Sequence, residues 1–393
     1  MAAMLLVDRR PEDGAYVPVE RGRRRNRRFG TIGKERGKNA MYVKECVKDI
    51  LRIGGRQGRL GYLRLDMNEN PEGLPEELVE RVKAQLTPEF FATYPEPERF
   101  LGILADYLGV GKENLCVTNG SDMAIRYLFE VFGRPGSSVV TVSPTFEMYR
   151  INCLIFGLNH KPVSYRPDFS LDFQEVLDAI TEEVSIVSVL NPNNPIGTVY
   201  TEEQFEQIVE KAKQVGALVI VDEAYHYFYD GTFLPLVLKH DNVVLVRTFS
   251  KLFSLAAVRL GFLVGNEQLI HYVWNVRPTF DTNAVALKFG EVLLKEPGLC
   301  DRLVAIEKEG RQYLLEWLKE HEYTFFAENG NYAFIKTKLP PAVVKERLEE
   351  KKILIKTYGQ EMLKDYVRIS TGSRKVMETF AAALLAADRE ADG

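Results

Sequence analysis

The chain has 393 residues, 46% of them hydrophobic and 27% charged, values that exclude wholesale disorder and allow a sizeable core. A net charge of −4 gives no general pull toward nucleic acid or a membrane surface, and no apolar run reaches the length of a membrane span. The four cysteines, Cys46, Cys116, Cys153 and Cys300, lack CxxC or zinc spacing, so reduced thiols and a cytoplasmic location are expected, with no metal site.

Residues 1–40 stand apart from the rest. They hold eleven Lys or Arg against five Asp or Glu, a net +6 that leaves −10 for the remainder, and the densest run is 21–28. Such a run binds nucleic acid or stays a solvated tail, and Met41 reads equally well as a natural start. Residues 1–58 are expected to form a basic, flexible tail, and 59–93 an arm that packs with a small domain. The glycines of 54–61 follow no predicted strand, so a phosphate-loop reading fails its context.

From residue 63 the pattern is that of a folded chain. Residues 65–71, Leu-Asp-Met-Asn-Glu-Asn-Pro, read as a polar extended stretch closed by proline. Helical apolar spacing covers 75–86 and 98–107, and between them Tyr94-Pro-Glu-Pro97 is a rigid turn that points an aromatic hydroxyl outward. Apolar runs at 115–117, 138–142, 184–190, 217–221, 243–246 and 261–264 predict buried strands. Patterns at 121–132, 147–156 and 201–214 predict helices, the last opened by a Thr201/Gln204 capping box. Continuous apolar strands alternating with helices specify an α/β fold with a mostly parallel sheet covered on both faces, placed here over 94–285. From about 266 the character changes to long amphipathic helices, 266–276 and 301–320; with a helix at 341–351, strands at 332–335, 353–355 and 366–370 and a final helix, a smaller α+β domain is placed over 286–393.

Polar residues cluster just past the strand ends, where open α/β sheets bind ligands. Asn119-Gly120-Ser121-Asp122 opens a helix whose free N–H groups suit a phosphate. Pro144-Thr-Phe146 offers an aromatic face, Asn191-Pro-Asn-Asn194-Pro-Ile-Gly197 forms a turn, and the next strand runs into Asp222-Glu-Ala-Tyr225. Thr248-Phe-Ser250-Lys251 then presents one lysine between a buried strand and small residues, where loss of hydration suits an amine to Schiff-base chemistry with a carbonyl cofactor. Thr248, Ser250 and Arg259 supply hydroxyls and a guanidinium fork for a phosphate.

In this order, Asn119-Gly-Ser-Asp122, Asn194-Pro-x-Gly197, Asp222-x-x-Tyr225, Ser250-Lys251, Arg259 and Arg368 resemble the pyridoxal-phosphate-dependent aminotransferases of classes I and II, fold type I. Asn68-Glu-Asn-Pro71, Tyr94-Pro-x-Pro97, Pro144-Thr-Phe-x-Met-Tyr149 and Arg247-Thr-Phe-Ser-Lys251 are most similar to the histidinol-phosphate aminotransferase group. The resemblance runs from about 63 to 380. It implies that Lys251 carries the pyridoxal 5'-phosphate and shuttles the substrate proton, while Asp222 pairs with the ring nitrogen. Asn194 and Tyr225 would bond the ring's phenolic oxygen. Phe146, where the group usually has Tyr, would stack on the ring. Gly120, Ser121, Asp122, Thr248, Ser250 and Arg259 would form the phosphate cup. Tyr94 would reach across a homodimer interface, and Arg368 would clamp a substrate carboxylate. The partners implied are an amino acid or amino alcohol as donor and a 2-oxo acid as acceptor, in a ping-pong sequence, with no nucleic acid and no membrane.

Two departures bear on the substrate. Glu72 stands where the group commonly has an aromatic residue, and Lys356 stands where it commonly has arginine. Both positions face the distal phosphate in that group, so a less anionic side chain is expected, unless Glu72 and Lys356 pair and leave Arg368 to hold phosphate alone. Two other readings share part of this pattern. One is an L-threonine-phosphate decarboxylase, which uses the same scaffold. The other is a transcription regulator with an aminotransferase-like domain, motivated by the arginine-rich N-terminus but lacking a helix-turn-helix pair before the fold.

Overall fold

The computed structural model of the protein describes residues 41–48, 50 and 58–389. The basic stretch of 1–40 lies outside the described residues, as do Gly54 and Gly55. In chain order the strands are β1 Leu63–Arg64, β2 Leu115–Thr118, β3 Ser138–Ser143, β4 Asn159–Ser164, β5 Val184–Leu190, β6 Leu218–Asp222, β7 Val243–Thr248, β8 Gly261–Gly265, β9 Phe325–Phe326, β10 Tyr332–Lys336, β11 Ile353–Leu354, β12 Lys356–Thr357 and β13 Tyr366–Ser370.

A seven-stranded sheet, ordered β2-β8-β7-β6-β5-β3-β4, forms the centre. β8 is antiparallel to both of its neighbours and the other pairings are parallel. The apolar runs explain the layering, because alternate residues of a strand face opposite sides. Val187, Val219, Val221, Val243 and Leu245 feed one core, whereas Ile186, Leu218, Ile220, Val244 and Val246 feed the other. The sheet is thus buried on both faces between helices such as Ser121–Phe132, Met148–Phe156 and Glu202–Gln214, the α/β arrangement expected. The last of these opens with the Thr201/Gln204 capping box.

A four-stranded antiparallel sheet, β12-β13-β10-β9, packs beneath the helices Leu299–Glu320 and Arg374–Ala387. Leu314, Leu318, Ile335, Val367, Ile369, Phe380 and Leu384 form its core, and Leu65 inserts into it. β1 pairs in parallel with β11, and the Ser370 N–H donates to the Leu65 carbonyl, which ties residues 63–65 to this layer.

Several elements depart from the sequence expectation. β4 is the seventh strand, at the sheet edge, and its Asn-His-Lys-Pro-Val-Ser has no apolar run because only one side needs a partner. The helices Phe173–Ala179 and Ala284–Leu294 are also additional. The second is buried nearly all round, so it lacks the one-sided pattern that marks a surface helix. All four cysteines are free, and no helix among the described residues is long and apolar enough to cross a membrane.

Candidate active site

The topology brings the predicted strand-end residues to one edge. Thr118, Gly261 and Thr248 stand side by side across β2, β8 and β7. The turn after β2 holds Gly120 at φ 76°, and a Cβ there would meet Arg259 Nη2 at 2.6 Å. A Cβ on Gly261 would meet the Ser121 nitrogen at 2.6 Å. The absence of two side chains therefore lets the Arg259 guanidinium lie over the first turn of the helix Ser121–Phe132. Arg259 itself takes the left-handed φ of 59°, and its Nη2 donates to Asp122 Oδ2 at 3.1 Å. The Thr248 hydroxyl donates to Ser250 Oγ at 2.9 Å and accepts the Ser250 N–H at 3.1 Å. Helix N–H groups, three hydroxyls and a guanidinium make an anion cup. Asp122 serves it by fixing Arg259 rather than by offering its own carboxylate.

Next to the cup, Asp222 ends β6 and is 4% exposed. Its Oδ1 accepts the Ala224 N–H and its Oδ2 accepts the Tyr149 hydroxyl, both at 3.0 Å. Burial raises its pKa to about 6. Those two donors and Lys251 work against the rise, and Asp122 adds to it. The neighbouring Glu223 and Arg247 form a buried ion pair at 2.7 Å, with Thr232 Oγ1 and the Phe233 N–H also donating to the carboxylate. A buried pair this well satisfied fixes the ends of β6 and β7, and with them Asp222 and Thr248.

The arm residues complete the site. Asn68, left-handed at φ 55°, donates from Nδ2 to the Tyr225 hydroxyl at 2.9 Å and to Asn194 Oδ1 at 3.3 Å. Arg368, 6% exposed, donates from Nη1 to the same Asn194 oxygen at 3.2 Å and from Nη2 to the Asp66 carbonyl at 2.6 Å. Lys251 Nζ donates to the Met67 carbonyl at 3.1 Å and lies 5.5 Å from the centre of the Tyr225 ring. Phe146 is half-buried against the core below the sheet. Its loop is pinned by Thr145 Oγ1 donating to Asn193 Oδ1 and Asn193 Nδ2 donating to the Pro144 carbonyl.

The remaining predicted residues, Tyr94, Glu72 and Lys356, make other contacts. Tyr94 is 72% exposed and stacks on Phe280, with ring centres 4.2 Å apart. Glu72 turns to the helix Arg374–Ala387, where its Oε2 accepts the Ser373 N–H at 3.3 Å, a favourable place for negative charge. It does not turn toward Lys356. Lys356 is instead paired in register with Arg368 across β12 and β13. Lost hydration, then Arg368 and Lys345, hold its amine below the ordinary lysine value, while Asp66 pulls the other way. Asn68, Tyr149 and the Asp66 and Met67 carbonyls join the site without having been singled out. Asn68 and Tyr149 lie inside motifs that resemble the family, but only the tertiary contacts show what they touch.

These groups suit pyridoxal phosphate. The cup takes a phosphate, a buried acid matches a protonated ring nitrogen, and Arg368 Nε and Asn68 Oδ1 are buried without a protein partner. Fold and donor set together define a pyridoxal-phosphate-dependent transferase of fold type I. The sequence profile of the aminotransferase class I and II family matches residues 61–384, and the chain belongs to that family.

The chain is 32% identical over 317 residues to a histidinol-phosphate aminotransferase of Clostridium novyi, covering 80% of this chain and 88% of that protein. It is 32% identical to histidinol-phosphate aminotransferase 2 of Nitrosococcus oceani, covering 82% and 91%. Among solved structures it resembles the histidinol-phosphate aminotransferase of Sinorhizobium meliloti in complex with pyridoxal-5'-phosphate, with TM-score 0.79 and 21% identity over 90% of this chain and 99% of that one. It also resembles the aspartate aminotransferase of Thermotoga maritima, with TM-score 0.70 and 26% identity over 82% and 91%. The protein is a pyridoxal-phosphate-dependent aminotransferase acting on amino and oxo acid substrates, most similar to the histidinol-phosphate aminotransferase group. The decarboxylase and regulator readings give way to this one.

Proposed function

We propose that the amino donor is a histidinol-phosphate-like amino alcohol with an anionic distal group, and that the acceptor is a 2-oxo acid. The observation that carries this is the side-by-side placement of Lys356 and Arg368, because register partners in a sheet project to the same face. Asp66, the acid beside them, is already taken by Arg59, whose Nη2 donates to it at 2.6 Å. With Glu72 turned to a helix end, the wall carries an excess of positive charge, and an anion is the matching ligand. The expectation of a less anionic side chain rested on Glu72 facing that wall and is set aside.

In this reading Lys251 moves the proton at the substrate Cα, and Asp222 holds a proton on the cofactor's ring nitrogen. Asn194 and Tyr225, oriented by Asn68, hold the phenolic oxygen. Phe146 covers one ring face, Gly120, Ser121, Asp122, Thr248, Ser250 and Arg259 seat the phosphate, and Arg368 clamps the substrate's carboxylate or equivalent anionic end. The bound cofactor supplies an electron sink for the carbanion. Residues 94–285 would serve as the cofactor-binding domain and 286–393 as the smaller domain, a division supported by one sheet falling in each.

Histidinol phosphate is expected to exceed unphosphorylated histidinol in kcat/KM by about ten- to hundredfold, the usual worth of one charge-assisted contact. Lys356→Ala should erase most of that margin. Equal kcat/KM for the two donors would overturn the assignment.

The same reading makes the protein a homodimer. Phe91, Tyr94 and Phe280 are 64%, 72% and 51% exposed, an apolar patch that a second copy would cover. Sedimentation should give the mass of two chains, and Tyr94→Ala should weaken retention of the cofactor. A monomer with full activity would refute it.

A further inference from the structure

We propose that Tyr149 is a positioning residue: its hydroxyl fixes the Asp222 carboxylate so that the acid's remaining lone pairs face the cofactor's ring nitrogen. The proposal rests on the assignment of Asp222 to that nitrogen. Tyr149 lies in the first turn of the helix Met148–Phe156 and is fully buried, its ring packed against Phe129. Its hydroxyl donates to Asp222 Oδ2 at 3.0 Å, while the Ala224 N–H holds Oδ1 at the same distance. One donor on each oxygen removes the rotation that a carboxylate at a strand end would otherwise have. Both donors also favour the charged acid, because each bond is stronger to a carboxylate than to a carboxyl group.

Burial and the adjacent Asp222 keep the Tyr149 hydroxyl protonated well above its ordinary range, so it remains a donor across neutral pH. The stretch 144–149 would then serve the ring twice, with Phe146 on its face and Tyr149 acting through the acid. Its geometry is set by the same loop, which Asn193 pins at Pro144 and Thr145. A core tyrosine that had merely found a partner for its hydroxyl would stabilise the fold without affecting the cofactor.

The test is a double-mutant cycle on the dissociation constant of pyridoxal phosphate, measured by absorbance and dialysis on the full chain. The variants are Tyr149→Phe, Asp222→Asn and both together, with thermal unfolding followed in parallel. Tyr149→Phe keeps the ring and should bind the cofactor about tenfold more weakly. In the Asp222→Asn background the same change should alter binding by no more than about twofold, since the charge it serves is gone. An equal loss in both backgrounds, tracking unfolding temperature, would show a structural role only and overturn the proposal. Unchanged affinity in Tyr149→Phe alongside weakened binding in Asp222→Asn would overturn the role of Tyr149 and leave Asp222 standing. Unchanged affinity in Asp222→Asn would remove both. If Tyr149→Phe fails to fold, replacing Tyr149 with 3-fluorotyrosine, a stronger donor of nearly the same size, decides instead, with the ionisation of Asp222 followed by infrared difference spectroscopy. An Asp222 acid that ionises at lower pH in the fluorinated protein supports the proposal; an unchanged ionisation shows that the hydroxyl does not act on the acid and overturns it.

Discussion

Lys251→Ala is expected to lose transamination while keeping its fold. The lysine is half-buried at a turn after β7, and among the described residues its amine donates to the Met67 carbonyl alone, whose residue is 44% exposed. Truncation leaves no buried charge, and water can replace the lost donor, so stability should change by about 0.5 kcal/mol or less. Function has no such substitute. The Lys251 amine stands over the Tyr225 ring and beside the Asn68 network, and in the function proposed above it would take and return the proton at the substrate Cα. Loss of positioned proton transfer alone costs about 10²–10⁴-fold in rate. Borohydride treatment of the wild type with cofactor should attach the label at Lys251, and the variant should take up none. A Lys251→Ala protein with more than about a tenth of wild-type turnover, a tenfold margin well inside that range, would mean another amine does this work.

What the sequence reveals follows from how burial writes itself into residue pattern. β5, β6 and β7 lie between two helix layers, so both of their faces must be apolar, and Val-Ser-Ile-Val-Ser-Val-Leu or Val-Val-Leu-Val is legible at once. The edge strand β4 lacks that demand on one side and accommodates Lys161 and Pro162, so nothing marks it. The helix Ala284–Leu294 fails for the opposite reason, being buried nearly all round. The cup was legible because backbone geometry dictates residue type there: Gly120 and Gly261 cannot be replaced without meeting Arg259 or the helix N-terminus. The direction of a long side chain is not encoded in this way. Glu72 could reach the substrate wall or the first turn of Arg374–Ala387, and the choice depends on how residues 65–73 dock against a layer formed some 300 positions later. Tyr149 is similarly opaque, since nothing in Met-Tyr-Arg tells that its hydroxyl meets a strand end 73 residues away.

The effect of Asp222→Asn should run in opposite directions for stability and for catalysis. Burial lifts the folded-state pKa from an ordinary 3.8 to about 6, so the folded protein binds the proton more tightly than the unfolded chain does. Stability without cofactor therefore falls as pH rises between those two values and levels off above about pH 6. Two units correspond to a penalty of about 3 kcal/mol at neutral pH. Asparagine has no such penalty, but it offers one acceptor oxygen to two donors, the Ala224 N–H and the Tyr149 hydroxyl. The orphaned donor costs about 1–3 kcal/mol. Without cofactor, the variant should be less stable than wild type near pH 4, gain on it up to about pH 6 and hold that gain to pH 7, which thermal unfolding across that range would show. Turnover should move the other way, by about 10²-fold or more, because in the proposed role a neutral amide would not hold the ring nitrogen's proton as a buried carboxylate does. The cofactor should also stabilise the variant less than it stabilises the wild type. If the difference in unfolding temperature stays flat from pH 4 to 7, Asp222 binds its proton equally well in the folded and unfolded chain, and the acid is not raised by burial. If single-turnover rates barely change, the ring nitrogen keeps its proton by another route, and the electronic role of Asp222 is lost.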